Sequence, residues 1–162
     1  MGFDGICIDG SCWKEDMRSA LSAAVSELPE DLPRHFLGIG EPGDILEGIA
    51  NGMDTFDCVA PTRIGRHGSI YTKKGIVHLR NEKYRDDLTP LSALGLGRNS
   101  TSTGFTLAYV SHLVRAGEMT GSIICSMHNM GFILDLVAGA REAILDDRFD
   151  EYRANFITEY YG

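Results

Sequence analysis

Residues 34–63 read RHFLGIGEPGDILEGIANGMDTFDCVAPTR, and they contain two apolar segments on either side of a helix-like one. A strand is predicted over residues 35–39, before Gly40. A second strand is predicted over about residues 55–59, and Asn51-Gly52 marks the end of the helix between them. This order of strand, helix and strand indicates a parallel β-α-β unit. The helix is indicated by apolar residues at helical spacing, namely Ile45, Leu46, Ile49 and Ala50.

The same alternation extends toward the N-terminus. Residues 1–9 predict another apolar strand, and Ser11 is a plausible N-cap for the helix that follows. Pro29 and Pro33 end that helix, because proline cannot continue the helical hydrogen bonds. The first sixty residues therefore predict an α/β fold with parallel strands that are apolar enough to be buried on both faces. Three such strands cannot close a barrel, which needs eight.

The pattern changes downstream of residue 63. Residues 63–90 predict loop and a short hairpin around Lys74-Gly75. From Gly104 onward, apolar residues recur at helical spacing, and most of them are expected to form core. The predicted helices cover about residues 104–117, 130–144 and 149–157.

The composition indicates a folded domain located in the cytoplasm. Of the 162 residues, 43% are hydrophobic and 23% are charged, which allows a sizeable core. The N-terminus lacks the basic start and apolar core of a signal peptide. No uninterrupted apolar run reaches the roughly 18 residues that suggest a membrane span. The four cysteines show no CxxC spacing, and we interpret them as reduced thiols.

The charge is unevenly distributed along the chain. The formal net charge is −8, yet residues 58–85 contain seven basic residues and one acid, Glu82. Such a stretch could bind a polyanion, or it could be an ordinary solvated face whose ion-pair partners lie elsewhere. Charge alone leaves both readings open. The basic residues are Arg63, Arg66, Lys73, Lys74, Arg80, Lys83 and Arg85.

Residues 52–63, GMDTFDCVAPTR, closely resemble a family signature, G-x-D-x-F-D-C-x-x-P-T-R. The signature belongs to the tRNA-guanine transglycosylases. The likeness covers nearly all of the chain, and so many matches in one order are highly specific. Further matching segments are FLGIGEP at 36–42, RHG at 66–68, HLVRAGE at 112–118, HN at 128–129 and RF at 148–149.

The resemblance implies a TIM-barrel enzyme that replaces guanine in a tRNA anticodon with a 7-deazaguanine. It also implies that Asp57, at the end of the last barrel strand, is the nucleophile. Cleavage of an N-glycosidic bond develops positive charge on the sugar, and a carboxylate can trap that carbon covalently. The fold class implied is a partial (βα) barrel, residues 1–88, followed by a helical C-terminal region, residues 89–162.

The resemblance also implies contacts with the base and with RNA. Leu37 and Gly38 lie where the family's strand contacts the bound base, and Gly10 is the one residue that could replace a glycine-rich segment of that pocket. Arg63 and Arg66 resemble the family's anticodon-loop contacts, because a guanidinium can donate two hydrogen bonds to a phosphate or a base edge. Lys73 and Lys74 extend the expected RNA-binding stretch.

Two departures from the family pattern affect the expected chemistry. The family's first β-α units have no counterpart in the chain, and with them its general acid/base carboxylate. The family also has a zinc site of three cysteines and a histidine. Residues 94–102 contain no cysteine, so only His128 remains and we expect no metal cofactor. Without zinc, His128 is predicted to start a helix, with Asn129 as its cap.

Three functions remain open on these residues. The first is a subunit or fragment of a tRNA-guanine transglycosylase-type enzyme. The second is a non-catalytic partner that binds RNA or a catalytic homologue, and the third is base exchange in DNA by a paralogue. Because the sheet would have open edges, we expect a complementing chain or a homo-oligomer. No membrane is expected among the partners.

Overall fold

The computed structural model describes residues 2–10, 17–97 and 104–162. The chain forms two compact units, residues 1–59 and 60–162. The mixed α/β class is confirmed, while a barrel remains an expectation. The predicted boundary at residue 88 also stays a prediction, since the division after Val59 concerns packing only. Ser11, the predicted N-cap, lies outside the described residues.

The first unit contains a parallel sheet with its strands in the order β1-β2-β3. Helix α1 follows β1 and α2 follows β2, as the sequence predicted. The sheet is in register, with Cys7, His35 and Thr55 side by side and Asp9, Leu37 and Asp57 side by side two residues later. The elements are β1 Ile6–Asp9, α1 Met17–Ser26, β2 Arg34–Leu37, α2 Pro42–Ala50 and β3 Thr55–Asp57.

One face of this sheet packs on the helices and the other is open. Phe36 lies on the packed face and is 1% exposed, and a Cβ added at Gly48 of α2 would lie 3.1 Å from its ring. The opposite face presents exposed side chains from all three strands. The expectation that the strands are buried on both faces is therefore wrong for this chain, because no other element of the described residues covers this second face, to which every other strand residue points. The exposed side chains are Cys7, Asp9, Leu37, Thr55 and Asp57.

Arg34 ties together the opposite end of the sheet. Its backbone N–H donates to Asp54 Oδ2 over 2.8 Å. Its guanidinium donates to the carbonyl oxygens of Leu28 and Pro29, which follow the end of α1. A buried arginine needs such partners, because an unpaired buried charge is costly. Arg34 thus holds the start of β2 and, through those carbonyls, the chain that leads into it.

The second unit packs a hairpin against helices. The predicted hairpin is confirmed, with β4 pairing antiparallel to β5, and the helices after Gly104 are confirmed as well. Residues 60–66 form a helix, whereas the sequence predicts loop from residue 63 onward. The elements are α3 Ala60–Arg66, β4 Ser69–Thr72, β5 Gly75–His78, short 3-10 helices Glu82–Tyr84 and Leu91–Leu94, α4 Leu107–Ala116, α5 Met119–Leu145 and α6 Phe149–Tyr161.

Helix α5 is the centre of this unit. It contains an 18-residue window with a mean hydropathy of 1.5, which by length and composition would suffice to cross a membrane, but half of that window is buried within the protein. His128, Asn129 and Asp135 are buried polar residues on this helix. Asn129 and His128 hydrogen-bond to backbone groups of the segment from Pro61 to Tyr71. These features are those of a core helix.

Candidate functional site

The carboxyl ends of the three parallel strands lie together. Asp9, Leu37 and Asp57 end the strands in register. Hydrogen bonds continue one residue further, from Gly10 N–H to the Leu37 carbonyl oxygen over 3.0 Å and from Gly38 N–H to the Asp57 carbonyl oxygen over 2.9 Å. The candidate catalytic residue and the three candidate base-binding residues therefore lie together at the carboxyl end of the sheet. In parallel α/β sheets, ligands bind at this end of the strands.

Asp57 presents its carboxylate on the open face of the sheet. Its side chain is 59% exposed, and Oδ1 lies 3.0 Å from His35 Nε2. His35 Nδ1 lies 2.8 Å from Thr55 Oγ1. Among the described residues, Oδ2 of Asp57 has no hydrogen-bond partner. The carboxylate is thus accessible, and one of its oxygens is held in place.

His35 was not among the predicted site residues. It lies 22 positions before Asp57, and strand register alone brings the two together. The available signal was the alternation of the strand, because His35 and Leu37 point to the same face. Without the register, that signal does not identify the partner of His35.

The three candidate base-binding residues differ in their surroundings. Leu37 is 39% exposed on the open face, so its side chain can contact a ligand. Gly38 has φ of 80°, a left-handed conformation that favours glycine where the chain leaves β2. Gly10 is buried, and an added Cβ would lie 2.6 Å from side-chain atoms of both Phe36 and Ile39. Packing is therefore a sufficient reason for glycine at position 10.

Arg63 and Arg66 lie on the last turn of α3 and are both exposed. They are three residues apart and so share one face of the helix. The opposite side of α3 packs closely on α5 at Gly65, where an added Cβ would lie 2.8 Å from the backbone N and Cα of Ser126. Ser122 Oγ donates to the Arg66 carbonyl oxygen over 3.2 Å. This packing fixes which side of α3 the arginines occupy.

Lys73 and Lys74 form the turn of the β4–β5 hairpin, on a different element from the arginines. Together with Lys83 they line a cleft of about 470 Å³ whose lining also contains two carboxylates, Asp87 and Glu159. The acids offset part of the lysine charge. The RNA-binding role of Lys73 and Lys74 stays a prediction.

Arg85 is already engaged within the basic stretch. Its guanidinium lies 2.8 Å from Glu82 Oε1, and Arg115 lies 2.6 Å from Glu82 Oε2. The hydrogen bond from Arg85 holds the pKa of the Glu82 carboxyl below its usual value. Part of the basic stretch is thus an ordinary surface ion-pair network, which is worth little in stability.

His128 and Asn129 do not begin a helix. They lie in the middle of α5, Met119–Leu145, because the apolar residues before them continue the same helix. Asn129 is 0% exposed. It accepts from Tyr71 N–H over 2.9 Å and donates to the carbonyl oxygens of Pro61 and Ser69 over 2.9 and 3.0 Å. Asn129 is therefore a buried bridge between α5 and the hairpin, and the predicted cap was wrong.

The residues around His128 do not fit the family's zinc site. His128 Nε2 donates to the Tyr71 carbonyl oxygen over 2.8 Å, and burial lowers the pKa of His128. The described residues contain no group of three histidine, cysteine or acidic side chains that could hold a metal. Residues 98–103 contain none of these residue types. A lone neutral imidazole cannot supply the four ligands of a structural zinc.

We expect purified protein to contain well under one zinc per chain, because His128 is the one ligand of the family's zinc site that this sequence keeps. Elemental analysis after dialysis against a chelator measures this directly. The thermal midpoint should also be the same with and without chelator, since no metal contributes folding energy. Stoichiometric zinc that survives dialysis would contradict the expectation.

Comparison with known proteins identifies relatives along the whole chain. The family model described as Queuine tRNA-ribosyltransferase matches residues 1–162. Proteins of that name from Lactococcus lactis subsp. cremoris (strain SK11) and Haemophilus influenzae (strain PittEE) are 40% and 41% identical over 99% and 100% of this chain. A third, from Caulobacter vibrioides, is 41% identical over the full chain. The chain spans 42–44% of the length of these relatives.

Proposed function

Because the chain belongs to the queuine tRNA-ribosyltransferase family, we propose that it is part of a base-exchange enzyme acting on tRNA. The enzyme replaces guanine with a 7-deazaguanine base and operates in the cytoplasm. One observation carries the proposal. The Asp57 carboxylate is accessible at the carboxyl end of the sheet, beside Leu37 and Gly38. This juxtaposition suits a nucleophile that must reach the sugar next to a bound base.

The chemistry proposed for Asp57 is covalent. Its carboxylate attacks the anomeric carbon of the target nucleotide as guanine departs, and the resulting Asp–ribose ester is then attacked by the incoming base. The carboxylate also stabilises the positive charge that develops on the sugar. A second acid must handle the protons of the two bases. We assign that role to no residue of this chain.

Leu37, Gly38 and Gly10 form the proposed support for the base. The exposed Leu37 side chain offers an apolar surface to a planar ring, and the left-handed turn at Gly38 lets the backbone approach it closely. Gly10 contributes because it has no side chain and so leaves room for the Phe36 and Ile39 side chains that pack against it. Arg63 and Arg66, with Lys73 and Lys74, are the proposed contacts to the tRNA.

A guanine-exchange assay tests the proposed function. The chain, alone and together with candidate complementing polypeptides, is incubated with radiolabelled guanine and either tRNA or duplex DNA of matched sequence. Incorporation into tRNA supports the proposal. Incorporation into DNA alone would favour the paralogue alternative. RNA binding with no exchange under any condition would favour a non-catalytic partner.

The sheet is expected to need further polypeptide. Among the described residues, β1 and β3 each pair with β2 alone, so each is an edge strand of this sheet, beside an exposed face. Such edges promote association. We expect light scattering to show self-association of the isolated chain, or a defined complex when a complementing chain is present. A protein that stays monomeric at high concentration would contradict this expectation.

Replacing Arg63 and Arg66 together by alanine should weaken tRNA binding and flatten its dependence on salt. The slope of log affinity against log salt should fall by roughly one for each phosphate group that the variant no longer neutralises. Titration at several salt concentrations measures both effects. The matched control is Arg141→Ala with Arg148→Ala, which removes two exposed arginines from elsewhere in the chain. Equal effects in the two double variants would mean that only net charge matters.

A further inference from the structure

The contacts of His35 determine which of its nitrogens carries hydrogen. Nε2 lies 3.0 Å from Asp57 Oδ1, and an ionised carboxylate can only accept. Nε2 must therefore carry the hydrogen that is donated to Asp57. In the neutral ring Nδ1 then has a lone pair, which accepts from the Thr55 hydroxyl over 2.8 Å. The three side chains form one directed chain of hydrogen bonds, from Thr55 to His35 to Asp57.

The register of the sheet holds this chain of hydrogen bonds in place. Thr55 lies directly opposite His35, and Asp57 is two residues further along the same strand. All three side chains project from the open face, where the His35 side chain is 35% exposed. The geometry needs no loop, because both strands are hydrogen-bonded to each other on either side of it. It can therefore orient a carboxylate before any substrate arrives.

The geometry points to His35 and Thr55 as positioning residues that hold Asp57 Oδ1 and leave Oδ2 as the attacking oxygen. This inference rests on the proposed function, since it concerns the same carboxylate. Oδ2 donates an electron pair to the anomeric carbon as the bond from that carbon to the base nitrogen breaks. Guanine leaves with the bonding pair and takes one proton from water or from a general acid of the completing polypeptide. His35 keeps its hydrogen throughout.

The first test reads the histidine directly, without any activity. Long-range ¹H–¹⁵N spectra of the full chain report which ring nitrogen of His35 is protonated, with His35→Gln used to assign the signals. At neutral pH we expect the Nε2–H form. Thr55→Val should keep that form, because the Asp57 carboxylate still accepts only from Nε2–H, whereas Asp57→Ala should convert it into a mixture of the two forms because the threonine hydroxyl can donate or accept. A predominant Nδ1–H form in the unmodified chain would overturn the inference.

The second test uses single-turnover formation of the protein–RNA adduct in the exchange-competent assembly at saturating RNA. His35→Ala should slow adduct formation by about 10- to 100-fold, since misplacing a reacting group by about 1 Å can cost that much. Its RNA dissociation constant should stay unchanged. His35→Gln should restore most of the rate, because the glutamine amide can donate to Oδ1 from nearly the same place as Nε2. Cys7→Ser, on the neighbouring strand of the same face, is the matched control and should react normally.

The outcomes separate this inference from the proposed function. If Asp57→Asn abolishes the adduct while His35→Ala reacts at the normal rate, the positioning role is wrong and the proposed function stands. If His35→Ala and His35→Gln are equally slow, a hydrogen-bond donor in the place of Nε2 does not restore the rate, and the inference is overturned. If Asp57→Asn still forms the adduct, the nucleophile of the proposed function is wrong, whatever the state of His35.

Discussion

Asp57→Asn should abolish the covalent protein–RNA adduct, with a loss of rate on the order of 10³-fold or more, as is usual for removal of a nucleophile. An amide is a far poorer nucleophile than a carboxylate. The substitution is nearly isosteric, and the asparagine oxygen can still accept the hydrogen that His35 donates to Oδ1. The fold and the hydrogen-bond chain should therefore survive while the chemistry is lost.

Denaturing gel electrophoresis of labelled RNA mixed with the exchange-competent assembly measures this adduct. Asp4→Asn is the control, because Asp4 is an exposed aspartate of the same unit that lies before β1. It should leave the adduct at its normal level. An undiminished adduct in Asp57→Asn would disprove the assignment of the nucleophile.

Asn129→Leu should lower the free energy of unfolding of the 60–162 unit by roughly 3–5 kcal/mol, because each buried group left unsatisfied costs about 1–3 kcal/mol. The groups at risk are Tyr71 N–H and the carbonyl oxygens of Pro61 and Ser69. Leucine is close to asparagine in size, so the effect reports missing hydrogen bonds rather than a cavity. Urea denaturation followed by circular dichroism gives the difference.

Asn155→Leu is the matched control for this substitution, because Asn155 is exposed on α6. It should change the unfolding free energy by less than about 0.5 kcal/mol. The Asn129 variant should also bind tRNA more weakly, since Asn129 holds the start of α3 through Pro61. A loss below about 1 kcal/mol would mean that water or a shifted backbone replaces these hydrogen bonds.

Local patterns predicted most of the elements and missed those that depend on distant partners. The hairpin, α2, α4 and α6 follow from turn residues and apolar spacing, which act over a few positions. Helix α3 was interpreted in part as loop. Its seven residues include Pro61 and Gly65, and Gly65 is explained by the close approach of Ser126, which is distant in sequence.

The candidate site divides in the same way. The family likeness predicts Asp57, the two arginines and the base-binding residues as the site, and these roles stay predictions. It does not predict His35, because a contact across 22 positions depends on strand register. The sequence also places His128 and Asn129 at a helix start, since the apolar run before this polar pair is ambiguous when only neighbours are considered.

The sequence by itself determined the family, the α/β class and Asp57 as the candidate nucleophile, because these depend on residue type and order. Only the tertiary structure decided three further points. Strand register placed His35 on Asp57, the packing of α5 made Asn129 a buried bridge, and packing on one face of the sheet alone left the other face open. The physical reason is common to all three. Contacts between residues that are distant in the sequence form only where the whole fold brings them together, and a hydrogen bond needs its donor and acceptor within about 3 Å.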